Sequence, residues 1–199
     1  MRHRLSEQQF ARTIGLFACS CNIDMRQVKD IMDNKCYDNY IHRLVLAVIL
    51  ISAFIVRLKN VWFAYPLQVH PDEPVLINAA LGILSTGDLN PHVFYWPSLT
   101  IYLQAILFYL VALPQKLFSV IHWPSQFIDY HICGRMLNVF LSTATIYVVY
   151  EIGKRLFNVW TGIAATFFIS ASSLHVTNSY YATVDTPTAL WSSVACLMA

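Results

Sequence analysis

Charge is what this sequence has least of. Asp, Glu, Lys and Arg make up 12% of its 199 residues, about half the share of an ordinary soluble domain. The few charges cluster early: seven of the thirteen Lys and Arg lie at or before Arg43, and five of the eleven acids before Tyr40. A net charge of +2 with no basic stripe excludes a nucleic-acid surface, so no nucleic-acid partner is expected. The cysteines Cys19, Cys21, Cys36, Cys133 and Cys196 form no C-x-x-C pair and have no histidine at zinc-finger spacing. Neither a dithiol nor a structural zinc is indicated. The apolar run Ile14 to Ala18 is far shorter than the roughly 7–15 residues of a signal-peptide core. No internal repeat is visible.

What is present is apolar length. Hydrophobic residues reach 57% and mean hydropathy is +0.51, the composition of an all-α, polytopic membrane protein. Residues 1–40 read as a polar, cytoplasmic tail with short helical stretches, and 41–199 as a transmembrane module. The first apolar block, Leu44 to Val56 between Arg43 and Arg57, spans once the snorkelling stems of its flanking cations are counted. A second block, Ser98 to Leu113, forms a helix of roughly 24 Å, short of a bilayer core of about 30 Å. Further blocks cover Met136 to Tyr150 and Val159 to Leu174, and the sequence stops inside another that starts at Thr186. That last stretch reads as an unfinished, truncated module.

Short loops rich in Lys and Arg stay cytoplasmic. The tail with Arg43 and the tight loop with Lys154 and Arg155 are the best such loops. Placing both inside demands an even number of crossings between them. Block 98–113 is then expected to lie in the interface rather than span, which puts Asp72, Glu73 and Asp185 together on the non-cytoplasmic side.

Four places could carry chemistry. His70-Pro71-Asp72-Glu73-Pro74 sets two adjacent carboxylates in a proline-braced loop just beyond a span. Such acids are costly to dehydrate in an apolar protein. They could hold a metal, serve as general base to a hydroxyl, or orient a sugar; equally, they could be solvated loop acids with Asp72 capping a helix over 75–84. Asp185 stands alone before the last apolar run, where an N-cap with Thr186 and Pro187 behind it would suffice. Arg57, with Lys59, could meet a phosphate or simply anchor the span; Arg135 carries the same two readings. Tyr95 and Trp96, with His92 and Phe94 near, suit a stacking surface or an interfacial aromatic belt.

The order of these pieces is more specific than any one of them. Arg57-Leu58 ends the first span, then comes His70 to Pro74 and a helix closing in Ser85-Thr-Gly-Asp-Leu-Asn-Pro91. Tyr95-Trp-Pro-Ser-Leu-Thr-Ile-Tyr-Leu103, Gly134-Arg-Met-Leu-Asn138, Thr145 to Phe157 and His175 to Asp185 follow. From about residue 42 to 199 the sequence resembles the N-terminal part of the membrane glycosyltransferases of the protein O-mannosyltransferase superfamily, which includes bacterial lipid A aminoarabinose transferases. The resemblance implies a GT-C-like module with interface-lying helices in its first outer loop. It implies a sugar moved from a polyprenyl-phosphate donor to a glycan, lipid or protein acceptor on the non-cytoplasmic face of a plasma or endoplasmic-reticulum membrane. Asp72 would be the general base, supported by Glu73. Arg57, His70, Asp185, Tyr95 and Trp96 would line the substrate, and Asp72 and Asp185 would share a divalent metal in members that use one. The chain by itself is expected to be inactive. A non-catalytic reading, a transporter fragment or assembly subunit, stays open; it would place functional acids near the membrane midplane.

Overall fold

A computed structural model describes residues 25–65, 67, 69–118 and 127–199, with side chains for 40–65, 67, 69–113 and 129–199. The tail residues 1–24, with Cys19 and Cys21, lie outside these. Every element among the described residues is helical: α1 (Met25–Asn60), α2 (Glu73–Thr86), α3 (Ser98–Phe118), α4 (Phe127–Leu156), α5 (Val159–Ala171), α6 (Ser173–Ser179) and α7 (Asp185–Met198). The chain divides into two compact units, residues 1–44 and 45–199. Of the first, only the helix from Met25 onward is described; the earlier part of the polar tail expected over 1–40 lies outside the described residues. The second holds the rest of α1 and all of α2 to α7.

Two stretches are long and apolar enough to cross a membrane, Tyr40–Asn60 and Asp129–Leu156. The first reaches beyond the thirteen apolar residues that announce it because the helix continues through its polar flanks. Val48, Ile51 and Ile55 form an exposed apolar stripe along it, at the three- and four-residue spacing of one helix face, as a lipid-facing side requires. The opposite face packs inward. Leu46 meets Tyr150 and Ile163 near one end, while Phe54, Leu58 and Val61 meet Ile132, Met136 and Val139 near the other. Helix α1 therefore runs antiparallel to α4.

Helices α4 and α5 form a hairpin with a two-residue connection. Asn158 caps α5 by accepting the Thr161 N–H at 2.9 Å, satisfying one of the four orphan donors of the first turn. Gly153 and Gly162 let the two backbones touch: a Cβ at Gly162 would stand 2.7 Å from the Tyr150 carbonyl oxygen. Helix α5 breaks at Ser172, whose backbone is extended, and α6 leaves at 63° to it; the bent pair counts as a third crossing if taken as one span.

Between the first two spans, α2 and α3 pack on each other through Leu76, Ile77, Ala80 and Ile83 against Ile101, Ala105 and Phe108. Gly87, at φ 76°, ends α2 with its N–H on the Ile83 carbonyl, the left-handed closure that glycine adopts without strain. The block expected to end at Leu113 continues as helix through Pro114 to Phe118. Its apolar part, Ser98–Leu113, remains shorter than a crossing.

Candidate functional site

Helix α4 carries a row of buried polar side chains. His131, Arg135, Asn138, Ser142 and Thr145 are all at most 2% exposed. Their spacing of four, three, four and three residues sets them on one inward face. Polar groups at this depth require partners, and the partners of Arg135, Asn138 and Ser142 come from other elements.

Arg135 sits at the centre. Its Nε and Nη2 grip the two carboxylate oxygens of Glu73, each at 2.8 Å, in a fully buried bidentate pair. Its Nη1 donates to the carbonyls of Val61 and Phe63, at 3.1 and 2.8 Å, and so fixes the turn that leaves α1, where Ala64 is held at φ 58°. Glu73 Oε1 also accepts the Ala182 N–H at 2.7 Å. Asn138 grips the same segment from below, donating Nδ2 to the carbonyls of Tyr181 and Thr183 at 2.6 and 2.9 Å. Gly134 makes room for it, since a Cβ there would stand 2.9 Å from that of Ala182. The 70–73 loop and the 180–185 segment are thus joined. The Tyr181 ring packs 5.0 Å from that of His70 and lies over the Arg135 guanidinium. Burial first, then Tyr180 and Glu73, pushes the Tyr181 hydroxyl up from its ordinary value, which keeps it a neutral donor.

The two remaining candidate acids, Asp72 and Asp185, are exposed and make no side-chain cap bond. Asp72 stands at the N-cap of α2 but makes no side-chain cap bond; its carboxylate is 45% exposed and lies 3.9 Å from His70 Nδ1, which accepts the Asp72 backbone N–H. Asp185 is exposed and is the first residue of α7, whose cap position is Val184, again without a side-chain cap bond. The capping expected of both is absent.

Glu73 and Arg57 differ from expectation. Both Glu73 oxygens are taken up by Arg135 and Ala182, so Glu73 positions the loops and has no lone-pair face turned to a substrate. Arg57 is fully buried. It donates to Ser142 Oγ at 2.8 Å, the Ala53 carbonyl at 3.0 Å, the Ser170 carbonyl at 3.4 Å and His175 Nδ1 at 2.9 Å. Neither snorkelling anchor nor open phosphate ligand, it staples the break between α5 and α6, where the last-turn carbonyls of α5 need donors. Tyr95 is 69% exposed, and Trp96, in ring contact with it, packs on the α2–α3 core.

Among the described residues no three of His, Cys, Asp and Glu gather as metal ligands. Arg135, read from the sequence as a phosphate ligand or span anchor, is instead a positioning residue, as are Asn138 and His175, to which motif reading gave no role. The four-and-three spacing of polar residues inside an apolar block was the signal for the first two; His175 had none, because its partner Arg57 is 118 residues away. No family model, no curated protein and no solved structure matches this chain.

Proposed function

We propose that the chain is a module of a membrane glycosyltransferase that uses a polyprenyl-phosphate sugar, with Asp72 as the carboxylate that receives the acceptor's proton. The observation that carries this reading is the joining of two loops at one end of the helix bundle. Antiparallel packing brings the end of α1, the start of α4 and the end of α6 together, opposite the α4–α5 connection with Lys154 and Arg155. The Glu73–Arg135 pair and the Ala182 N–H then bind the loop of Asp72 to the segment that leads into Asp185.

In the reaction proposed, an acceptor hydroxyl attacks the anomeric carbon of the donor sugar. The new oxygen–carbon bond forms as the bond from that carbon to the lipid phosphate oxygen breaks. The electron pair leaves with the phosphate, and the hydroxyl proton passes to Asp72. An exposed carboxylate with no cap bond suits the base and can pass the proton on to water. Asp185 and the Tyr95–Trp96 rings are assigned to orienting the sugar.

Sidedness tests the reading. Single cysteines at 72, 154 and 185, in a chain whose five native cysteines are replaced, are treated with a membrane-impermeant thiol reagent in intact cells. Labelling at 72 and 185 but not at 154 is expected. Labelling of 72 and 185 from opposite sides would separate the two acids and end the proposal, leaving the non-catalytic reading.

A further inference from the structure

The α4–α5 hairpin carries two exposed stripes that run to its turn. On α4, Phe140, Ala144 and Tyr147 are exposed, four and three residues apart on one face. The same spacing continues to Glu151 and Lys154. On α5, Trp160, Ala164, Phe167 and Phe168 are exposed at that spacing, and Phe157 stands in the turn before them, 73% exposed. The hairpin's packed faces, which meet through Gly153 and Gly162, lie away from both stripes. A bilayer crossed by the apolar stretch that ends at Leu156 places the turn where hydrocarbon gives way to head groups. Cations stand there too. Lys154 closes the α4 stripe and Arg155 follows it, both exposed. Lys154 Nζ is engaged, 3.2 Å from Glu151 Oε1 and 5.4 Å from the centre of the Tyr150 ring. The Arg155 guanidinium makes no hydrogen bond or ion pair among the described residues. One uncompensated positive charge therefore borders exposed apolar rings.

We infer that the α4–α5 turn is a docking site for an anionic phospholipid, in which Arg155, assisted by Lys154, holds the head-group phosphate while Phe157 and Trp160 lie against the acyl chains. The partner has to cover a cation and apolar rings together. Free phosphate would meet Arg155 but leave the rings in water. A zwitterionic lipid would cover the rings, yet its own ammonium group offsets the attraction of its phosphate. A lipid of net negative charge satisfies both halves, and the guanidinium fork matches phosphate oxygens. Because Glu151 offsets Lys154, the attraction expected is that of about one cation near the surface. The site lies at the opposite end of the bundle from Asp72, and the inference is independent of the transferase reading.

The test uses the full chain in phosphatidylcholine nanodiscs that hold a small share of a lipid brominated on its acyl chains. Bromine quenches a tryptophan it touches, so at a small share the quenching tracks local occupancy by that lipid. The contribution of Trp160 is the difference between the parent chain and Trp160→Phe. Brominated phosphatidylglycerol should quench Trp160 about fivefold more than brominated phosphatidylcholine at the same share, the enrichment that one uncompensated cation implies. Arg155→Gln, at an exposed position, should bring the two lipids close to equality. Glu151→Gln, which releases Lys154 from its pair, should raise the preference by about the same factor again. High salt should lower it in the parent chain. The opposite signs of the two charge variants separate a lost site from a misfolded chain. Equal quenching by both lipids in the parent, a preference unchanged in Arg155→Gln, or no rise in Glu151→Gln would each overturn the inference. So would loss of the preference on adding inorganic phosphate at constant ionic strength, which would make the turn a site for a free anion.

Discussion

At the scale of single residues the Glu73–Arg135 pair decides most. Both partners are at most 2% exposed, so removing either strands a buried charge, which costs about 3–5 kcal/mol. Glu73→Met or Arg135→Met alone should lower thermal stability in detergent by that order, and the double substitution should cost clearly less than the sum of the two, because it removes both charges together. Double-variant damage equal to the sum of the singles would show that the pair is uncoupled. Glu73 was visible in the sequence as half of an acidic doublet, yet its role was not. Adjacent acids read as a unit, whereas burial separates them, turning one inward to Arg135 and leaving the other exposed. A second residue-scale expectation concerns Asp88. Its carboxylate accepts the Asn90 N–H at 2.9 Å and pairs with His92, and the backbone bond first, then His92, holds its pKa below the ordinary 3.8. Because the folded value is depressed, the order this contact gives the 86–92 loop is present above pH 3.8 and is lost as pH falls through the lower, folded value. The Asn90 amide shift, followed by NMR in acid, should move through a midpoint below that of a free aspartate. Asp88→Asn should abolish the transition.

At the scale of elements, apolar run length in the sequence located the helices but not their ends. Blocks beginning at Met136 and ending at Leu113 became helices Phe127–Leu156 and Ser98–Phe118. A hydropathy run stops where charge begins, while a helix continues for as long as its polar residues find partners. Arg135 illustrates this. Expected at the mouth of a span, it lies two turns inside α4 because Glu73 and two carbonyls receive it. The break at Ser172 was equally illegible, since no proline or glycine marks it; the Arg57 staple, a tertiary contact, supports it. Glycines give the sharpest element-scale test. A Cβ at Gly162 would press on the Tyr150 backbone oxygen, which cannot yield, whereas one at Gly82 meets nothing within 4 Å. Gly162→Ala should cost about 1–3 kcal/mol by forcing α4 and α5 apart. Gly82→Ala, inside α2, should stabilise by about 0.5–1 kcal/mol through reduced backbone freedom. Equal unfolding temperatures for the two variants would contradict the close approach of the hairpin.

At the scale of the whole molecule, two helices are long and apolar enough to cross a membrane, and the placement of α3 decides the topology that follows from such a crossing. With α3 lying in the interface, α1 and α4 are the first two crossings, and the loops of Asp72 and Asp185 emerge on one side. If α3 crosses, that arrangement fails. Its length alone does not decide, since 21 residues reach roughly 31 Å. The apolar part ends at Leu113, however, and the last turn carries Pro114, Gln115 and Lys116. An interfacial helix keeps one face at constant depth, and Leu99, Ile106 and Leu110 are all exposed at spacings of seven and four, on a single face. Nitroxides placed at these positions in proteoliposomes report depth through the balance of oxygen and nickel-chelate accessibility. A helix in the plane of the interface should give three nearly equal, shallow depths. A helix along the membrane normal should spread positions 99 and 110 over about 16 Å, at 1.5 Å per residue. Nitroxides at Val48 and Ile51, on the exposed stripe of α1, should read deep and supply the scale. Equal shallow values on α3 with deep values on α1 would place the first outer loop on the bilayer surface. The joined acidic loops would then sit where a lipid-linked substrate presents its head group. A graded profile on α3 would add a crossing and invert the side of everything from α4 onward.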